Sequence, residues 1–82
     1  MRDANLMADF LADRARRRIV YHVGLLARDR ENTSTLSKED RAAINVVARA
    51  AWNASAAGKL FLVQRRLPSG DFEYIAIKAA AA

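Results

Sequence analysis

The sequence predicts a small α+β domain: two helices, or three if the first segment breaks, followed by a C-terminal antiparallel β-hairpin. Three observations carry this prediction. Apolar residues from Ala43 to Ala54 recur at helical spacing, whereas those from Leu60 to Lys78 alternate with a period of two. The turn-forming run Leu67-Pro68-Ser69-Gly70-Asp71 divides the alternating stretch into two strands. At 82 residues the chain fits one domain, expected over 1–78, with 79–82 set aside as a disordered alanine tail or an appended remnant.

Composition narrows the class. One proline, three glycines and 52% apolar residues do not make a disordered chain. A domain this short buries a modest fraction of its surface. There is no cysteine to staple it, so its core must come from apolar packing, within one chain or in a small homodimer. The absence of cysteine fits a cytoplasmic setting. No apolar run approaches the ~20 residues that span a bilayer, so no membrane insertion is expected. Met1-Arg2-Asp3-Ala4-Asn5 leads into no apolar signal-peptide stretch, so no signal peptide is expected.

Residues 4–30 read as helix with a complication. Leu6, Met7, Phe10 and Leu11 form one apolar face, and Ala15, Ile19, Val23 and Leu26 form a second, rotated from the first by more than a quarter turn. The helix must therefore wrap around the core or break near 13–17. Ile19-Val20-Tyr21-His22-Val23 is rich in β-formers, and Gly24 costs a helix roughly 1 kcal/mol. Strong helix formers on both sides still favour helix. After a polar connection at 31–35, Ser37 is placed to cap a second helix, with Glu39 and Asp40 suiting the positive end of its dipole. Ala43, Ile44, Val47, Ala48, Ala51 and Ala54 give that helix one apolar stripe, and Gly58 suits the left-handed residue that ends it.

In the hairpin, pairing Arg65 with Glu73 sets a register that puts Val63 opposite Ile75 and Phe61 opposite Ile77. These four are the expected core face. The other face carries Leu62 with Ala76, Gln64 with Tyr74, and Arg66 with Phe72, and is expected to meet solvent or a partner. A one-residue slip would scramble both sets.

Residues able to do chemistry are few. His22 stands without a nucleophile or carboxylate motif and reads as structural or surface. No cluster of metal ligands and no glycine-rich phosphate loop is present in the sequence. A non-enzyme without catalytic residues, metal or cofactor is expected. The balance of 14 basic and 9 acidic residues gives +5, which permits nucleic-acid, anionic-surface or acidic-protein binding. Arg14, Arg16, Arg17 and Arg18 form a basic patch, able to contact phosphates or to lie as a solvated surface. Lys38, Arg41, Asn45, Arg49 and Asn53 share the exposed side of the second helix, and arginine and asparagine are the side chains that read guanine and adenine edges. Arg65 and Arg66 make the hairpin tip basic.

A helix followed by a basic-tipped hairpin, over residues 37–78, resembles the last helix and wing of winged-helix DNA-binding domains in element order and charge. The resemblance implies a helix in the major groove and a wing on the backbone. The junction before the helix is a polar loop at 31–36 where that family has a tight turn. Two readings follow. The preferred one is a small DNA-associated regulator using Arg41, Asn45, Arg49, Arg65 and Arg66. The other is a protein-binding inhibitor, adaptor or small dimeric module, with Trp52, Phe72 and Tyr74 as interface anchors. In its short, arginine- and alanine-rich style the chain is similar to accessory proteins of phages and other mobile elements.

Overall fold

The computed structural model of the chain describes residues 3–29 and 36–79. The polar connection at 31–35 and the end of the alanine tail lie outside them. Six elements follow in order: α1 (Leu6–Ala12), β1 (Arg18–Gly24), α2 (Leu26–Asp29), α3 (Lys38–Ala56), β2 (Leu60–Arg66) and β3 (Phe72–Lys78). The mixed α+β class and the helix-then-hairpin order are those the sequence predicts. The sheet has three strands in the order β1-β3-β2, with β3 antiparallel to both neighbours. β1 and β2 therefore run parallel with β3 inserted between them, a split β-α-β arrangement.

The first segment departs from expectation. It is neither one helix nor two, but helix, strand and a single short helical turn. α1 buries Met7 and Phe10 completely and stops where Asp13 turns extended (φ −86°, ψ 104°). The β-branched and aromatic run Ile19 to Val23 then pairs with β3. The tertiary gain wins over local helix propensity, because β3 would otherwise leave one edge of backbone groups unpaired. Of the second apolar face expected at helical spacing, only Ile19 is buried, while Ala15 and Val23 are exposed.

The register shifts between Val20 and His22, so Tyr21 and His22 both turn toward the helices and Val23 turns away. This is a bulge, one extra residue that re-aims the strand.

α3 follows the sequence closely. Ser37 Oγ accepts the Asp40 backbone N–H at 3.1 Å, and the stripe from Ala43 to Ala54 is buried. At the far end Gly58 takes φ 78°, with Lys59 N–H donating to the Ala54 carbonyl and Gly58 N–H to that of Ser55. That is a Schellman closure, and glycine enters its left-handed position at little cost.

The hairpin register is the predicted one throughout, Arg65 opposite Glu73 included. Its faces are the reverse of those expected. Leu60, Leu62 and Ala76 face the helices and join Ile19, Met7, Phe10, Val47, Ala51 and Ala54 in the core. Phe61 and Val63 are exposed, and Ile75 and Ile77 are only partly covered. Small side chains explain the choice: Ala76 and Ala51 are both fully buried and let α3 lie close to the sheet. The Arg65–Glu73 ion pair (2.8 Å) also shares a face with Val63 and Ile75, and solvating that face avoids burying two charges.

Candidate protein-binding surface

α3 carries its alanine stripe on the sheet and turns its other side outward. On that outer side Arg49 and Asn53 are exposed, and Arg41 and Asn45 are half-buried and held by interactions of their own. Two large apolar side chains interrupt the polar row. Val46 is 52% exposed and Trp52 70%, although both belong to a well-formed helix. Two grooves meet at Arg49. One, of about 520 Å³, is lined by Ala42, Asn45, Val46, Arg49, Ala50 and Asn53. The other, of about 360 Å³, runs between α3 and the sheet, bounded by Tyr21, Leu26, Ala48, Arg49, Trp52 and Leu62. Burial, and then the neighbouring Tyr74, push the Tyr21 hydroxyl above its ordinary range, so it stays a neutral lining group.

The other residues singled out from sequence do not converge on this surface. Arg65 leaves the opposite face of the sheet and is paired with Glu73, whereas Arg66 lies on the helix-side face. A flat partner resting on α3 cannot also reach Arg65. Phe72 and Tyr74, expected on an outward face, are half-buried on the inward one. Tyr74 stacks at a tilt with Tyr21 (6.3 Å), His22 (5.8 Å) and Phe72 (6.4 Å), and its hydroxyl accepts the Leu26 N–H at 3.1 Å. Its role is to hold α2 against the sheet.

Arg14, Arg16, Arg17 and Arg18 are all exposed where α1 leads into β1, and among the described residues none forms an ion pair. Arg16 lies over the Phe10 ring at 5.9 Å, and Lys78 lies over the same ring at 4.7 Å while donating to the Asp13 carbonyl.

The one cluster that sequence reasoning missed is a polar clasp at the end of β1. His22 is 5% exposed, and its Nε2 lies 2.7 Å from Asp29 Oδ2 on α2. Burial of Asp29 raises its carboxyl, but the hydrogen bond and charge of His22, with Arg28 beside it, outweigh this and hold it below its ordinary value. Gly24 makes the approach possible. Its φ is 135°, and a Cβ there would stand 2.6 Å from Asp29 Oδ2. The His22 side chain is shut from solvent and meets the Asp29 carboxylate and the Tyr74 ring, so the pair reads as a structural clasp. The signal was present in Gly24, an isolated glycine beside a β-rich run, with a histidine two residues before it and an acid five after.

Among the described residues no helix is long and apolar enough to cross a membrane, and no three histidine, cysteine or acidic side chains gather around a point. No protein-family model matches the chain, and neither does any curated protein or solved structure.

Proposed function

We propose that the protein is a non-enzymatic protein-binding module that docks an acidic partner through the outer side of α3. The observation that carries this reading is the 70% exposed Trp52 beside Arg49. Tryptophan and arginine are enriched among the side chains that anchor protein interfaces, and the polar side chains around Trp52 can form the rim that shields such an anchor from water. After Asp40 the helix has no acidic residue, and the chain carries +5, so the field at this surface favours a partner with carboxylates facing Arg49.

Val46 and Trp52 also favour protein over the DNA reading. Base edges in the major groove are polar apart from the thymine methyl, and two exposed apolar side chains on the reading face have little to meet there. The basic residues counted for that reading are moreover divided between the two sides of the sheet. Nucleic acid stays as a second reading on a different observation, the four exposed arginines at 14–18. The test is affinity capture followed by titration of the purified partner. The proposal expects a partner retained after nuclease treatment and bound far more weakly by Trp52→Ala. Capture that disappears with nuclease and with arginine-to-alanine changes at 14–18 would favour the second reading.

A further inference from the structure

The register of the sheet gathers positive charge at one end. The Arg17 carbonyl accepts the Lys78 N–H at 2.8 Å, and the Lys59 carbonyl accepts the Ala79 N–H at 3.0 Å. The start of β1, the end of β3 and the start of β2 therefore lie side by side. Arg14, Arg16, Arg17 and Arg18 enter this end after α1, Lys59 enters it after α3, and all five are exposed. Arg16 rests over the Phe10 ring, but among the described residues none of the five forms an ion pair. Asp13, the one acid in the connection, accepts the Ala15 N–H. Like charges this close repel, a cost to the folded chain that a bound anion would relieve.

On the face turned away from α1 and α3, the same end carries the cross-strand row Arg18–Ile77–Phe61. Phe61 is 62% exposed, the most open of the large apolar side chains on the sheet. Arg18 stands two strand spacings from it, about 10 Å. We infer that this end of the sheet binds an unpaired nucleic-acid strand, with a base stacked on Phe61 and phosphates held by Arg14, Arg17, Arg18 and Lys59.

Charge and ring together select that occupant. Cations without ion pairs call for a polyanion, and an exposed aromatic ring set among them is the combination that single-strand sites use, because every base has a π face. A duplex would meet the arginines through its phosphates but keep its bases stacked inside, leaving Phe61 without a partner. An anionic membrane would lie along the whole apolar face and take the Arg65–Glu73 pair out of water. A strand across the row avoids that pair. Glu73 lies four residues along β3 from Ile77, roughly 14 Å, which exceeds a Debye length of about 8 Å. Such a site rests on the nucleic-acid reading of Arg14 to Arg18 and deepens it, naming the form of the strand and the ring that meets its bases. α3 packs on the other face of the sheet, so a partner on its outer side and a strand here can be held at once.

Fluorescence anisotropy of labelled oligothymidylate and oligouridylate, each about 12 nucleotides long, titrated with the full chain tests this. If all four cations meet phosphates, log K should fall with log salt at a slope of about −3, from roughly −0.7 per contact. Phe61→Ala should weaken binding roughly 5- to 150-fold, the range for one stacked base, with the salt slope unchanged. Arg18→Ala should instead lessen the slope by about 0.7. Binding of either oligonucleotide in this pattern supports the inference, and the tighter one names the sugar. Should Phe61→Ala fail to fold, Phe61→Trp in a Trp52→Phe background puts the sole tryptophan at the stacking position. Its fluorescence should be quenched by the single strand and not by the corresponding duplex, and a tryptophan left unquenched overturns the inference. Binding of neither oligonucleotide at low salt overturns it together with the reading beneath it. Binding that falls with Arg14→Ala, Arg17→Ala and Arg18→Ala but ignores Phe61→Ala overturns the stacked strand alone, and leaves phosphate contact by the arginines. Vesicles of about one quarter phosphatidylserine that bind where the oligonucleotides do not would overturn it in favour of a membrane surface.

Discussion

Substituting Gly24 by alanine tests the clasp at the end of β1 and its role in placing α2. Two costs follow from the geometry. At φ 135° an L-residue is strained whatever the space around it, and such positions cost on the order of 1–3 kcal/mol. The new methyl would also stand 2.6 Å from Asp29 Oδ2, so the carboxylate must move off His22. Losing a hydrogen bond to a charged group costs about 1.5–3 kcal/mol. The two overlap, because relaxing one eases the other, so the expected loss is about 3 kcal/mol. For a domain of this size each kcal/mol lowers Tm by roughly 4–8 °C, which makes the shift about 12–24 °C. Thermal unfolding followed by circular dichroism reads it. The same substitution in an Asp29→Ala background should cost only the backbone part, on the order of 1–3 kcal/mol and less than in the wild type, since the carboxylate it displaces is gone. An equal cost in both backgrounds, or a loss below about 1 kcal/mol in the wild type, would refute the close approach as the reason for glycine here.

Further expectations concern the clasp and the core. Asp29 has a folded-state carboxyl below its ordinary value of 3.8, so it contributes stability above that pH and loses it as pH falls through the folded value. The stability gap between wild type and Asp29→Asn should therefore be present above pH 3.8 and close as pH drops below it; a gap unchanged down to strongly acid pH would contradict the assignment. Ala76→Leu should destabilise by roughly 1–3 kcal/mol in urea unfolding through overpacking beneath α3, and a neutral effect would mean the helix does not lie against β3.

Much of the fold is legible in the chain because its signals are local. Ser37, the alanine stripe and Gly58 define α3 from neighbours within a few turns. The alternation around Pro68 and Gly70 defines the hairpin, and the charges of Arg65 and Glu73 set its register. β1 escapes such reading because its stability comes from pairing Ile19–Val23 with residues fifty or more positions later. Local helix formers on both sides obscure it. The inverted hairpin faces have the same origin. Phe61, Val63, Ile75 and Ile77 are more apolar than Leu62, Tyr74 and Ala76, and without β1 nothing ranks a small side chain above a large one. The charged pair beside Val63 was the available clue. As for the surface, Trp52 on the edge of the apolar stripe could be placed on either side of α3 by its spacing. Only the path of α3 across the sheet turns it outward.

Titration of a purified partner against wild type and Trp52→Ala, after nuclease treatment of both, tests the central claim most directly. Trp52 is largely exposed, so its loss should leave folding stability within about 0.5 kcal/mol of wild type. As an interface anchor it should cost at least about 2 kcal/mol of binding, roughly a thirtyfold rise in Kd. A rise of less than about threefold, well under one kcal/mol, with the fold intact, would show that the outer side of α3 is not where this protein binds.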